Sequence, residues 1–207
     1  MRQRSEVIVI LAVAAFALSG VIGVKIMGSG TDVRVDPGLD PAPVTIEPTV
    51  VRTAQGGGAW FQSFRMYCNP VDVDTRLRWQ PAPGTPEGDM YKAACYALAG
   101  RIDQARDVID GLPQDVQFRA AGVVFDAGHP AADGGDEIAA GPLMELVVEY
   151  WPNHYMALYH AGAAAYERGD YGAAPHYLER FLSEYAQEDG WRSNAIEMLE
   201  RMERGGR

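Results

Sequence analysis

The two cysteines are residues whose number and spacing limit the chemistry that they can perform. Cys68 and Cys95 are the only cysteines among the 207 residues. They form neither a C-x-x-C redox pair nor a C-x-x-C-H haem-attachment motif. An even number of cysteines in an extracytoplasmic domain favours one disulfide, which here would close a loop of about 27 residues. The alternative is two separate buried thiols.

The histidines match no familiar catalytic or metal-binding motif. The four histidines are His129, His154, His160 and His176. On a continuous helix His154 and His160 would lie about 240° apart, so they would not share a face. The chain has no H-E-x-x-H, no G-x-S-x-G and no phosphate-binding loop, and the acidic stretch from Asp72 to Asp74 lacks the other ligands of a calcium loop. The sequence therefore predicts a protein that is not an enzyme and that has no metal, cofactor or small-molecule substrate.

The first 27 residues have a different composition from the remainder of the chain. Eighteen residues from Val7 to Val24 carry no charge, which as a helix would span about 27 Å, close to the thickness of a bilayer core. The preceding Arg2 and Arg4 favour a cytoplasmic N-terminus. We therefore expect a tail at 1–6, a transmembrane anchor at 7–27 and the bulk of the chain in the periplasm, as in a single-pass protein of the bacterial inner membrane. The alternative is a cleaved signal peptide, because Ala15-Phe16-Ala17 resembles a small-x-small cleavage site, although the apolar run continues past Ala17.

Three small residues recur along the predicted anchor. Ala15, Ser19 and Gly23 lie four apart and so share one helix face. A small-xxx-small face lets a second transmembrane helix pack closely. The alternative is chance, because a span rich in alanine and glycine often contains this spacing. The three residues are a candidate packing face for another transmembrane helix, and chance spacing is the stronger of the two interpretations.

The composition of the segment that follows the anchor is typical of a linker. Residues 28–58 contain four prolines and six glycines with few large apolar side chains. The linker could hold the folded domain away from the membrane, or it could lie as an extended strap across a partner. After the uncharged run, residues 25–207 carry 16 Lys or Arg against 27 Asp or Glu. This acidic balance argues against nucleic-acid and anionic-lipid binding and favours a basic partner.

Residues 59–207 show helical spacing, no useful β alternation, and a repeat. The repeat unit has a glycine, an alanine five residues later and a large apolar residue four residues after that. The three sets are Gly100, Ala105 and Ile109; Gly135, Ala140 and Met144; and Gly169, Ala174 and Leu178. A period of 34–35 residues is typical of a helical solenoid. We predict that each glycine lies in a tight turn between paired helices and each alanine where the two helices cross.

This pattern resembles the tetratricopeptide repeat, a helix–turn–helix unit of 34 residues. The last repeat, from Tyr155 to about Glu188, matches best, and the first runs from about Pro86 to Asp115. The positions that match in the last repeat are Leu158, Ala161, Gly162, Gly169, Tyr171, Ala174 and Leu178. The resemblance implies an all-α solenoid of about three repeats, and the C-terminal segment fits a capping helix. In the middle repeat, "GHPAADGGDE" predicts a short first helix or a loop, and Pro142 and Pro175 predict local distortion.

The resemblance also implies a function in protein binding. Carrying the groove positions of the family onto the last repeat gives Met156, Tyr159, Ala163, Tyr166 and Glu167. Tyrosine and methionine suit peptide recognition, although Tyr159 and Tyr166 could instead pack against a neighbouring repeat. We expect an accessory subunit of a multi-protein inner-membrane complex, of respiratory, photosynthetic or secretion type. The alternatives are a free periplasmic-facing adaptor that captures peptides in its groove, and an enzyme whose site the sequence does not reveal.

Overall fold

The computed structural model describes residues 56–205, and this part of the chain contains helices and no strands. The helices are α1 Gly57–Phe64, α2 Val73–Trp79, α3 Pro86–Leu98, α4 Ile102–Asp110, α5 Gln114–Asp133, α6 Glu137–Tyr150, α7 Tyr155–Glu167, α8 Ala174–Glu184 and α9 Gly190–Gly205, with a 3₁₀ turn at Arg65–Tyr67. The prediction of an all-α domain is confirmed for this range. No helix within 56–205 is both long and apolar enough to cross a membrane. The predicted anchor at 7–27, its packing face and almost all of the predicted linker lie outside the described residues.

The three repeated glycines lie in three equivalent turns. Gly100, Gly135 and Gly169 have φ values of 69°, 86° and 75°, in the left-handed region that glycine adopts most easily. In the first turn the Gly100 N–H donates to the Ala97 carbonyl over 2.9 Å, and the Arg101 N–H donates to the Tyr96 carbonyl over 2.9 Å. The same pair of hydrogen bonds recurs after α5 and α7. This is the Schellman arrangement, so the predicted turn position of each glycine is confirmed.

The repeated alanines and large apolar residues lie in the core between paired helices. All six are at most 1 % exposed: Ala105, Ile109, Ala140, Met144, Ala174 and Leu178. Helices α3 and α4, α5 and α6, and α7 and α8 form the three hairpins, and α5 and α7 also pack against the preceding hairpin. Space between hairpins is small: a Cβ on Gly141 of α6 would lie 2.5 Å from the Cβ of Ala164 in α7. The small residues Gly141 and Ala164 therefore let α6 and α7 approach closely.

The middle repeat differs from the prediction. Its first helix, α5, is the longest in the described chain, with 20 residues, and it continues through Pro130 to Asp133. Proline removes one backbone donor, but Pro130 is exposed and lies in the last turn. Burial of the apolar face of α5, including Val124 and Ala127, outweighs that loss. The expected loop or short helix is therefore wrong. Helix α6 likewise continues through Pro142, and Pro175 lies in the first turn of α8, where proline is tolerated.

A disulfide fixes the N-terminal helices to the first hairpin. Cys68 follows the 3₁₀ turn, and its sulfur lies 2.08 Å from that of Cys95 in α3. Both cysteines are buried, and the fully buried Phe64 belongs to the same core. The predicted pairing of the two cysteines is thereby confirmed, and no described cysteine is free.

The last helix covers the third hairpin. The Asp189 carboxylate caps α9 by accepting the backbone N–H groups of Trp191 and Arg192 over 3.0 and 3.2 Å. The Arg192 guanidinium donates to the carbonyl oxygens of Leu182 and Tyr185 at the end of α8, so it satisfies acceptors that the helix end leaves free. The prediction of a helix that packs on the last repeat is confirmed.

Candidate functional site

Two of the five predicted groove residues on α7 are buried. Tyr159 is 6 % exposed and Ala163 is 5 % exposed. The Tyr159 ring meets the Trp191 ring edge-to-face, with centroids 4.9 Å apart. These two predicted contact residues are therefore core residues in this structure, and Tyr159 packs against Trp191 of the last helix and Phe181 of α8 rather than against a neighbouring repeat. The sequence pattern did not distinguish a surface filled by the chain's own last helix from one open to a partner.

The remaining groove positions are more accessible. Met156 and Tyr166 are half-buried, and Glu167 is exposed. Tyr166 packs near Tyr171, with ring centroids 5.8 Å apart, at the turn between α7 and α8. An open cleft of about 550 Å³ lies here, between that turn and the C-terminal half of α9. Its lining residues include Tyr166, Tyr171, Pro175, Glu179, Leu199, Met202 and Glu203.

Three of the four histidines lie in one aromatic cluster, and the fourth does not. His176 is exposed on α8, where its ring contacts Arg180. His154 precedes α7 and caps it, since its Nδ1 accepts the Ala157 N–H over 3.2 Å. Burial lowers the pKa of His154 below its usual value of 6.5, which keeps the ring in the neutral form that can accept this bond. His129 of α5 and His160 of α7 meet edge-to-face, with centroids 5.1 Å apart.

His160 is the one fully buried polar or charged side chain in the described core. Its Nδ1 lies 3.0 Å from both carboxylate oxygens of Glu137, the first residue of α6. An ionised carboxylate can only accept, so the His160 Nδ1–H donates. Its other ring nitrogen, Nε2, is buried and has no hydrogen-bond partner among the described residues. A buried polar atom left without a partner is unfavourable by about 1–3 kcal/mol, so this nitrogen requires an explanation.

His129 presents a second buried nitrogen to the same place. Within residues 56–205 its Nε2 has no hydrogen-bond partner, and it lies 3.4 Å from the Asp133 carboxylate, one turn further along α5. Phe125 stacks on the His129 ring, with centroids 4.5 Å apart. One ligand atom each from His129, Asp133 and His160 falls within 4.8 Å of the others. The arrangement therefore gathers two imidazole nitrogens and a carboxylate oxygen.

The surroundings of this cluster are acidic. Glu137 and Asp136 lie at the start of α6, and Glu167 lies at the end of α7. Burial and the charges of Glu137 and Asp136 raise the pKa of Glu167, because each negative charge disfavours the next. A cation would be attracted to this region. Asp72 and Asp74, by contrast, lie at the start of α2.

The meeting of His129 and His160 was not predicted from the sequence. His154 and His160 lie six residues apart and share no helix face, and His129 falls in the segment that was expected to be a loop or a short helix. The spacing of His129 and Asp133 by four residues was the available signal, because on a helix such a pair shares one face. The approach of His160 from α7 depends on how the second and third hairpins stack, which spacing alone does not give.

Comparison of the chain with protein-family models, with curated proteins and with solved structures gave no match.

Proposed function

We propose that the protein is an interaction module: a membrane-anchored accessory subunit whose TPR-like helical domain binds a segment of another protein. The observation that carries the proposal is the open cleft lined by Tyr166 and Tyr171. Its volume of about 550 Å³ suits a few side chains of a bound segment. Tyr171 is 59 % exposed, and an exposed tyrosine offers a large apolar area together with a hydroxyl group.

Charge around the cleft favours a particular kind of segment. Glu179 and Glu203 line it, and neither forms an ion pair with any described residue. Arg201 also lines the cleft but is paired with Glu197. The whole chain carries a net charge of −10. A segment with apolar side chains for the tyrosine pair and Lys or Arg side chains for the two glutamates complements this surface.

The N-terminal sequence supports the membrane-anchored part of the proposal. The uncharged run from Val7 to Val24 is long enough to span a bilayer, and the two arginines before it favour a cytoplasmic N-terminus. The linker of 28–58 would then carry the helical domain on the opposite side. An anchored domain meets its partner at a raised effective concentration, so even a shallow cleft can hold a partner stably.

The experiment is a comparison of wild-type and variant full-length chains in native membranes. Membranes are extracted in mild detergent, complexes are separated by size, and proteins that migrate with the chain are identified by mass spectrometry. Tyr171→Ala tests the cleft with little effect on folding, because the side chain is mostly exposed. Trp79→Ala is the matched control, since Trp79 is an aromatic residue outside the cleft with 83 % exposure. Tyr159 is unsuitable as a probe because it is buried.

We expect the wild-type chain and the Trp79→Ala variant to migrate with the same partner, and the Tyr171→Ala variant to lose it. A partner present at fixed stoichiometry in a large assembly would identify a constitutive subunit. Capture that is seen only after cross-linking, and that still depends on Tyr171, would identify a free adaptor. Retention of the partner by Tyr171→Ala, with its loss from Trp79→Ala, would show that the cleft is not the binding surface.

A further inference from the structure

We propose that His129, Asp133 and His160 bind a divalent transition-metal ion, of which Zn²⁺ is the best match, and that Glu137 orients His160 towards it. The site lies at the junction of the second and third hairpins. It is separate from the cleft near Tyr171 and does not depend on the proposed interaction function. A bound ion would join α5 to α7.

The separation of the ligand atoms is close to that of a metal site. Two ligands about 2.0–2.1 Å from a tetrahedral Zn²⁺ lie about 3.4 Å from each other. The His129 Nε2 and the Asp133 carboxylate oxygen are 3.4 Å apart, and all three ligand atoms lie within 4.8 Å of one another. Half of the Asp133 side chain is exposed, at 51 %, so this carboxylate can turn to complete the site. The contraction that remains is of the order of one ångström.

His160 has the hydrogen bonding of a histidine metal ligand, in which one ring nitrogen donates to a carboxylate and the other is free to bind the metal. Histidine ligands commonly donate their second ring N–H to a carboxylate, which fixes the tautomer and directs the other nitrogen at the metal. Here Glu137 accepts from Nδ1 over 3.0 Å, and the free Nε2 is buried. In the competing interpretation His160 is a cation paired with Glu137 alone. That pairing would leave a buried Nε2–H without an acceptor, whereas a metal ion uses the Nε2 lone pair.

The ligand types determine the class of metal. Two imidazoles and one carboxylate suit Zn²⁺, Co²⁺, Ni²⁺ or Fe²⁺, whereas Ca²⁺ and Mg²⁺ prefer oxygen ligands throughout. Neither cysteine can contribute a thiolate, because Cys68 and Cys95 are joined to each other. Three protein ligands leave a fourth position for water or for a group from a partner. The aromatic ring of Phe125 on one side limits access of solvent to His129.

The test is metal binding by the full-length chain in detergent, purified without a polyhistidine tag and stripped with EDTA. Co²⁺ is titrated while its visible absorption is recorded, and Zn²⁺ is then added in competition. We expect one Co²⁺ per chain, displaced by one Zn²⁺. Zinc at 100 times its dissociation constant should raise the thermal midpoint by roughly 5–10 °C.

Variants then assign the site. Glu137→Gln keeps a hydrogen-bond acceptor and should weaken binding by about 10- to 100-fold. Asp133→Asn and His129→Gln each remove a direct ligand and should weaken it further. His176→Gln is the matched control, because His176 is exposed on α8 away from the other histidines, and it should bind as the wild type does. His160 is left unchanged in these variants, since a fully buried residue could not be replaced without risk to folding.

Three outcomes would overturn the proposal. The first is the absence of stoichiometric Co²⁺ or Zn²⁺ binding by the wild-type chain at a metal concentration of about 10⁻⁴ M, because a site that is empty at this concentration would bind only very weakly. The second is wild-type affinity in a combined His129→Gln and Asp133→Asn variant whose circular dichroism is unchanged. X-ray absorption of the Zn²⁺-loaded wild type requires no variant. Two imidazole ligands per ion would support the site, whereas an ion with no imidazole ligand would refute it.

Discussion

Replacement of the three turn glycines by alanine gives a direct test of the repeat. Gly100, Gly135 and Gly169 all have positive φ, and a Cβ built on any of them meets no atom within 4 Å. The only penalty is therefore the left-handed backbone, which is unfavourable for an L-residue by about 1–2 kcal/mol. Alanine also restricts the unfolded chain, which offsets about 0.4–1 kcal/mol of this. Each substitution should lower the free energy of unfolding by about 1 kcal/mol.

The measurement is urea unfolding of the full-length chain in mild detergent, followed by far-ultraviolet circular dichroism. An unchanged slope with a lower midpoint would show a change in stability alone. Glycine-to-asparagine variants at the same positions should lose less, because asparagine tolerates the left-handed region better than alanine. Gly84→Ala is the control: a Cβ there also meets nothing within 4 Å, and its φ is not positive. We expect that control to be neutral or slightly stabilising.

The triple alanine variant should lose about 3 kcal/mol, since the three turns share no hydrogen-bond partners and distant effects are usually additive. Two results would refute the reasoning. One is an alanine variant in any of the three turns that is as stable as the wild type. The other is an asparagine series that loses as much as the alanine series, because the loss would then not arise from the backbone conformation.

Two further predictions follow from the cysteines and from His154. Replacing Cys68 and Cys95 together by alanine should lower the free energy of unfolding by about 3.5 kcal/mol, because the disulfide closes a loop of 27 residues. Urea unfolding with and without reductant measures this loss, and a loss below about 1 kcal/mol would contradict the prediction. Burial lowers the pKa of folded His154 below 6.5, so its contribution to stability is present above pH 6.5 and is lost as pH falls through the folded pKa. The urea midpoint, measured in EDTA, should therefore fall between pH 7.5 and pH 5.5, and it should fall less in His154→Asn than in the wild type. Asparagine keeps a capping acceptor for Ala157. An equal fall in both proteins would show that His154 does not titrate as described.

Much of the fold could be predicted from residues that act locally. A glycine in a left-handed turn and an alanine at a helix crossing are requirements of φ and of size, and both recur at a fixed spacing. The turn position of Gly169 and the burial of Ala174 could therefore be predicted without a structure. The pairing of Cys68 with Cys95 was also predictable, because the chain has only two cysteines. The capping helix was expected from the position of the C-terminal segment after the last repeat.

The errors arose where distant packing competes with a local signal. Pro130 and the glycines after it predict an interrupted helix, yet α5 continues to Asp133 because its apolar face is buried between neighbouring helices. Tyr159 occupies a groove position by spacing, yet Trp191 from the last helix lies against it. In both cases the sequence indicates which residues are available, and contacts from other hairpins determine how they are used.

The sequence by itself determined the helical class, the three turns and the disulfide, because each depends on the conformational or covalent properties of one or two residues. The tertiary structure decided the meeting of His129 with His160, and which tyrosines remain accessible. The physical reason is that a repeat of 34–35 residues specifies each hairpin separately. The approach of α5 to α7 depends on the stacking of one hairpin on the next, and that is set by the summed packing of many side chains.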